Sequence, residues 1–153
     1  MDKNQLEIID KMAENESLIG DLYLAYANKF EKEFWESIAK DEKMHFSNII
    51  NLKNIIESNK EVFFKERFRI QPVKLLNENI KEAIEKAKED ISLIDALGIA
   101  YDFETSMIES NYFDIISTDS ESIKNHLKVL EEQTKSHVSK IKQRLEEEKN
   151  NNK

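Results

Sequence analysis

The chain has no cysteine, two glycines and one proline among its 153 residues. The absence of cysteine excludes disulfides, thiolate zinc sites and iron–sulfur clusters within the chain, so any redox chemistry must use other ligands. So few glycines and prolines leave an all-β domain without residues for its reversals, whereas long helices need few of either. Basic charge is in deficit too: 23 Lys and Arg face 31 Asp and Glu, a formal net charge of -8. Binding nucleic acid requires clustered Lys and Arg to displace counterions, so this balance argues against such a partner and favours cations. No apolar run approaches the roughly 18 residues a membrane span requires. The first ten residues are polar and charged, unlike a secretory leader. No membrane partner and a cytoplasmic location are the expectations.

What remains is enough apolar sequence for one core, at a length that suits a single domain. Apolar positions recurring at three and four residues predict helices over 2–28, 32–61, 74–116 and 120–148. Pro72 disfavours helix at Gln71, so the segment from Val62 to Val73 reads as a crossover along the bundle. The third segment has a sparse, charged beginning before Ile91, which allows a short preliminary helix. Thr118-Asp119-Ser120-Glu121 fits a capping box at the start of the fourth helix. Residues 149–153 lack apolar side chains and are expected to fray as a disordered tail, leaving 1–148 as the domain. Two helix pairs joined by one long connection make an all-α four-helix bundle of ferritin-like type. Phe63, Phe64 and Phe68 in the connection either cover the bundle or form a homodimer contact.

Ionisable residues interrupt each apolar stripe near mid-length. In the second helix Trp35, Ile38, Glu42, His45, Ile49, Leu52 and Ile56 follow one another at alternating steps of three and four. An ionised carboxylate taken out of water costs on the order of several kcal/mol unless it is paired or bound to a metal. Glu42 and His45 therefore require a partner inside the bundle. In the first helix Glu16 falls within Ile9, Met12, Ile19, Tyr23, Tyr26 and Phe30. Glu104 does the same among Ile94, Leu97, Tyr101, Ile108 and Ile115, and Thr134 and His137 interrupt Ile123, Leu127, Leu130 and Ile141. Glu-x-x-His places a carboxylate and an imidazole one turn apart on one face, within reach of a common cation. Oxygen and imidazole donors without sulfur suit iron or manganese, and zinc is compatible. A hydrogen-bonded polar network that fixes helix register is the structural alternative.

Four stretches carry a family resemblance. Glu16-Ser-Leu-Ile-Gly-Asp-Leu-Tyr23, Asp41-Glu42-Lys-Met-His45, Ala96-Leu97-Gly-Ile-Ala100-Tyr-Asp-Phe-Glu104 and Glu132-Gln133-Thr134-Lys-Ser-His137 occur in that order. Over nearly its whole length the chain resembles the rubrerythrin branch of ferritin-like di-iron proteins, without a rubredoxin domain. The resemblance implies two iron ions held by Glu16, Glu42, His45, Glu104 and His137. It further implies reaction with peroxide or dioxygen, of peroxidase or ferroxidase type, with an external electron donor. One departure stands out: Thr134 occupies the position of the family's second bridging glutamate. Glu42 is then the remaining bridge, and three carboxylates face two divalent cations, which weakens the second metal site. Gln133 is a neighbouring oxygen donor, though it lies about a hundred degrees round the helix from Thr134. Asn111 stands where the family has a tyrosine, with Tyr112 beside it. The alternative function is a ferritin-like module without turnover that binds one metal ion or none.

Overall fold

The computed structural model describes residues 3–58, 63–64, 70–109, 116–117 and 121–151, with side chains over 6–58, 70–108 and 121–151. Within them the chain is an all-α bundle of five helices: α1 Lys3–Ala27, α2 Lys32–Glu57, α3 Ile70–Lys86, α4 Leu93–Glu109 and α5 Glu121–Asn151. Two short strands, β1 Phe63–Phe64 and β2 Ile116–Ser117, pair antiparallel. No helix among the described residues is long and apolar enough to cross a membrane.

Charged and polar contacts fix the helix directions. Lys53 bonds Asp10 at 2.7 Å and Lys43 bonds Asp21 at 2.6 Å, so α2 runs antiparallel to α1. Glu7 pairs with Lys74 at 3.4 Å and Glu14 with Lys81 at 3.5 Å, so α3 runs parallel to α1 on its outer side. α4 then descends and α5 returns, packed against each other, with α5 also against α2. The single crossover is therefore real, but a helix carries it. The third segment is split, as its sparse, charged beginning allowed: its first part, together with residues 70–73 of the expected strap, is α3, and the bundle helix α4 begins at Leu93.

The early start of α3 and the break before α4 have local causes. α3 includes Gln71 and Pro72 in its first turn, where proline's missing N–H would have had no intrahelical partner, so Pro72 costs the helix no bond. The break before α4 is made by Ser92, whose hydroxyl accepts the Asp95 backbone N–H at 3.1 Å, with Asp95 adding an acid to the first turn. α2 begins differently. Glu31 makes no side-chain cap and instead receives Arg144 of α5, whose Nε lies 3.0 Å from both carboxylate oxygens. At the other end of the chain, α5 continues to Asn151, through residues expected to fray. The Thr118–Ser120 part of the expected capping box, and the side chains of Phe63, Phe64 and Phe68, lie outside the described residues.

The stripes of α2 and α5 are buried as the spacing predicts, with Ala39 added on α2. On α4 the buried line is Ala96, Leu97, Ala100, Glu104 and Met107, while Ile94, Tyr101 and Ile108 are half-buried at its flank. α1 buries a wider face, adding Ile8, Ala13, Asn15, Leu22 and Ala27, because it packs against both α2 and α3. Each Ile or Leu so buried contributes about 1.5–3 kcal/mol relative to exposure.

One buried polar contact holds the crossover helix in register. Asn15 Nδ2 donates to the Val73 carbonyl at 3.1 Å, and Asn77 Nδ2 donates to Asn15 Oδ1 at 2.9 Å. Replacing Asn15 with alanine strands buried donors and acceptors on α3, which costs about 1–3 kcal/mol. Urea unfolding of Asn15→Ala should show that loss, and the double variant Asn15→Leu/Asn77→Leu should recover part of it.

Candidate metal centre

Glu16 on α1, Glu42 and His45 on α2, Glu104 on α4 and His137 on α5 all point into the bundle, none more than 1% exposed. They meet because each sits on the core line of its helix and the contacts between the helices set the heights. Glu42 is central. Its Oε1 lies 3.0 Å from His137 Nδ1, and its Oε2 lies 3.3 Å from His45 Nδ1. Glu16 Oε2 approaches the same His45 nitrogen at 3.5 Å, and Glu104 Oε1 approaches His137 Nδ1 at 3.6 Å. The two imidazoles stack, centroids 5.4 Å apart. The result is two triads, Glu16/Glu42/His45 and Glu42/Glu104/His137, that share Glu42. Within each, donor atoms from all three residues lie within 4.8 Å of one another.

The donors are poorly satisfied by the protein. Both oxygens of Glu16, Oε2 of Glu42, Oε2 of Glu104 and both ring nitrogens of His45 are buried with no hydrogen-bond partner. Buried polar atoms are nearly always paired in native proteins, so a cluster of this size marks a missing partner. Each triad offers two carboxylates and one imidazole, a set that could hold a metal ion.

No protein-family model and no curated protein matches the chain. Among solved structures, hypothetical protein MJ0754 from Methanococcus jannaschii DSM 2661 is similar, with a TM-score of 0.70 and 23% identity over 96% of this chain and 82% of that one. At that identity the likeness shows the fold alone.

Two further contacts support the cluster. Asp41 Oδ2 lies 3.0 Å from His137 Nε2, on the ring edge opposite the site. A carboxylate there holds the proton on Nε2 and leaves Nδ1 free to bind a cation. The signal was the acid immediately before Glu42, whose direction becomes meaningful only once α5 is placed beside α2. Tyr23 donates its hydroxyl to Glu104 Oε1 at 2.7 Å. Thr134 is buried, but its hydroxyl donates to the Leu130 carbonyl of its own helix at 2.9 Å. Gln133 Oε1 is buried without a partner, and Asn111 and Tyr112 lie outside the described residues.

Crowding shapes the titration of the metal-free protein. Burial, with Glu104 and Glu16 close by, pushes the Glu42 carboxyl well above its ordinary 4.5. Burial also opposes ionisation of Glu104, but His137, Glu42 and the Tyr23 hydroxyl outweigh it and hold that group below 4.5. Burial lowers His137, yet Glu104 and Asp41 outweigh it and raise the imidazole above 6.5. For Glu42 and His137 the native state thus keeps protons that the unfolded chain has released, and the stability they contribute is lost as pH rises through their native values. Glu104 has the opposite sign, and its contribution is lost only as pH falls below 4.5. Thermal melts in chelator from about pH 5 to about pH 9 should therefore show the protein losing stability as pH rises. A bound divalent cation, which replaces those protons, should remove or reverse the trend.

Proposed function

We propose that this protein is a rubrerythrin-like non-haem di-iron oxidoreductase that reacts with peroxide or dioxygen, its electrons ultimately drawn from an external donor. The observation that supports this reading is the pair of buried triads joined through Glu42, because a carboxylate with one oxygen turned to each histidine could serve a cation on either side. In this reading Glu16 and His45 hold one ion, Glu104 and His137 the other, and Glu42 both. Two ferrous ions bound there would supply the electrons for reducing the oxidant. The protein's own contributions are positional and electrostatic. Asp41 fixes the His137 tautomer, Tyr23 orients Glu104, and burial of the five side chains in the bundle core keeps bulk water out. Manganese and zinc fit the same donors. Anaerobic titration with Fe(II) should reach a plateau near two ions per chain, followed by rapid oxidation on adding peroxide. Absence of binding would end the proposal.

Thr134 favours a second reading, in which the scaffold binds one ion without turnover. Three carboxylates leave two divalent cations one positive charge in excess, and the Thr134 hydroxyl is already bonded within its helix. Thr134→Glu should tighten the weaker metal step by roughly 10–100-fold, the scale seen when a group supporting a metal site is changed. If the parent protein binds a single ion and never turns over, while Thr134→Glu binds two, the module reading replaces the enzyme reading.

A further inference from the structure

Next to the ligands lies a row of aromatic rings that the metal centre by itself does not explain. Tyr23, already bonded to Glu104, has its ring centroid 5.6 Å from that of Trp35, and Trp35 lies 4.8 Å from Tyr26. All three are fully buried. Phe34 sits edge-on to Trp35 at 5.1 Å and is half-buried, so the row runs from the site toward the end of the bundle where α1 turns into α2. Trp35 Nε1 and the Tyr26 hydroxyl are buried without a hydrogen-bond partner. An apolar ring at either place would avoid that penalty. Beyond a polar group that finds no partner here, indole and phenol bring over such a filler an ease of one-electron oxidation.

We propose that Tyr23 and Trp35 form an electron relay into the metal centre; the inference rests on the di-iron reading. Dioxygen takes up four electrons and four protons on becoming two waters, and two ferrous ions held by these residues would supply two of the electrons. The remaining two come from the rings. Tyr23 loses one electron while its O–H bond breaks and the proton passes to Glu104 Oε1, which leaves a neutral tyrosyl radical. Trp35 loses the other and remains a radical cation, because no acceptor faces Nε1 to take its proton. Glu104 passes the Tyr23 proton on as one of the four that water formation takes, and solvent supplies the other three. A soluble one-electron donor such as ascorbate then returns one electron to each ring and a proton to Tyr23. Tyr26 stands outside the relay, since a phenol with no proton acceptor is hard to oxidise.

The full chain, loaded anaerobically with Fe(II), mixed with oxygenated buffer and freeze-quenched, should give organic radicals by electron paramagnetic resonance. Trp35 is the one tryptophan in the sequence, so narrowing of the signal by ring-deuterated tryptophan assigns its radical without mutagenesis. Ring-deuterated tyrosine reports the other. Trp35→Phe should abolish the tryptophan component, Tyr23→Phe should reduce the total radical yield several-fold, and Tyr26→Phe should leave both unchanged. Rapid iron oxidation by dioxygen with no organic radical, or a radical indifferent to both labels, overturns the relay and leaves the di-iron reading standing. Failure to bind iron overturns both.

Discussion

Everything in this bundle is arranged around the Glu42 carboxylate. It stands in a dry interior with Glu16 and Glu104 as like-charged neighbours and with an imidazole on each of its oxygens. Removing one such charge from water carries a penalty of several kcal/mol, and three carboxylates at close range add mutual repulsion that a low-dielectric interior barely screens. In the metal-free protein the raised proton affinities of Glu42 and His137 work against that repulsion. In the proposed centre two cations would do so more completely, which makes occupancy and stability two views of one equilibrium.

The helices serve that cluster in different ways. α1 and α2 come together closely at Gly20, where an added Cβ would sit 3.0 Å from the Lys43 side chain and 3.4 Å from Glu42 Cβ. That gap lets Lys43 lie across α1 to reach Ser17 and Asp21, and it keeps Glu42 at the depth of Glu16. α3 adds no ligand. It carries the chain back to the top of the bundle so that α4 descends with Glu104 facing Tyr23. Arg144, bonded to Glu31, ties the turn between α1 and α2 to α5.

The two halves of the site are similar without being equal. α2 offers a carboxylate three residues before its histidine, and α5 offers a hydroxyl that its own backbone has claimed. Asp41 backs His137, whereas neither nitrogen of His45 has a hydrogen-bond partner, Glu42 and Glu16 only approaching its Nδ1. Because Glu42 is shared, each half has two carboxylates and one imidazole, and the half built on α5 has the better-oriented imidazole. This asymmetry separates an enzyme from a single-ion module, and it is a property of individual side chains rather than of the bundle.

Composition and periodicity were enough to reach an all-α bundle with one crossover, and to name five inward ionisable residues that the fold brings together. The reason is that a three-and-four spacing states which face of a helix is buried, and a charge on that face is visible without coordinates. Local pattern did less well at the boundaries. Pro72 looked like a barrier although a first-turn proline lacks only an orphan donor, and Ser92 went unread as the cap that divides α3 from α4. Relations between helices lay beyond the sequence altogether. Which oxygen of Glu42 faces which histidine, that Asp41 reaches across to His137, that Tyr23 meets Glu104, and that Trp35 lies against Tyr23 all depend on axial offsets and rotations. Those are set by packing among residues distant along the chain, and no local spacing encodes them.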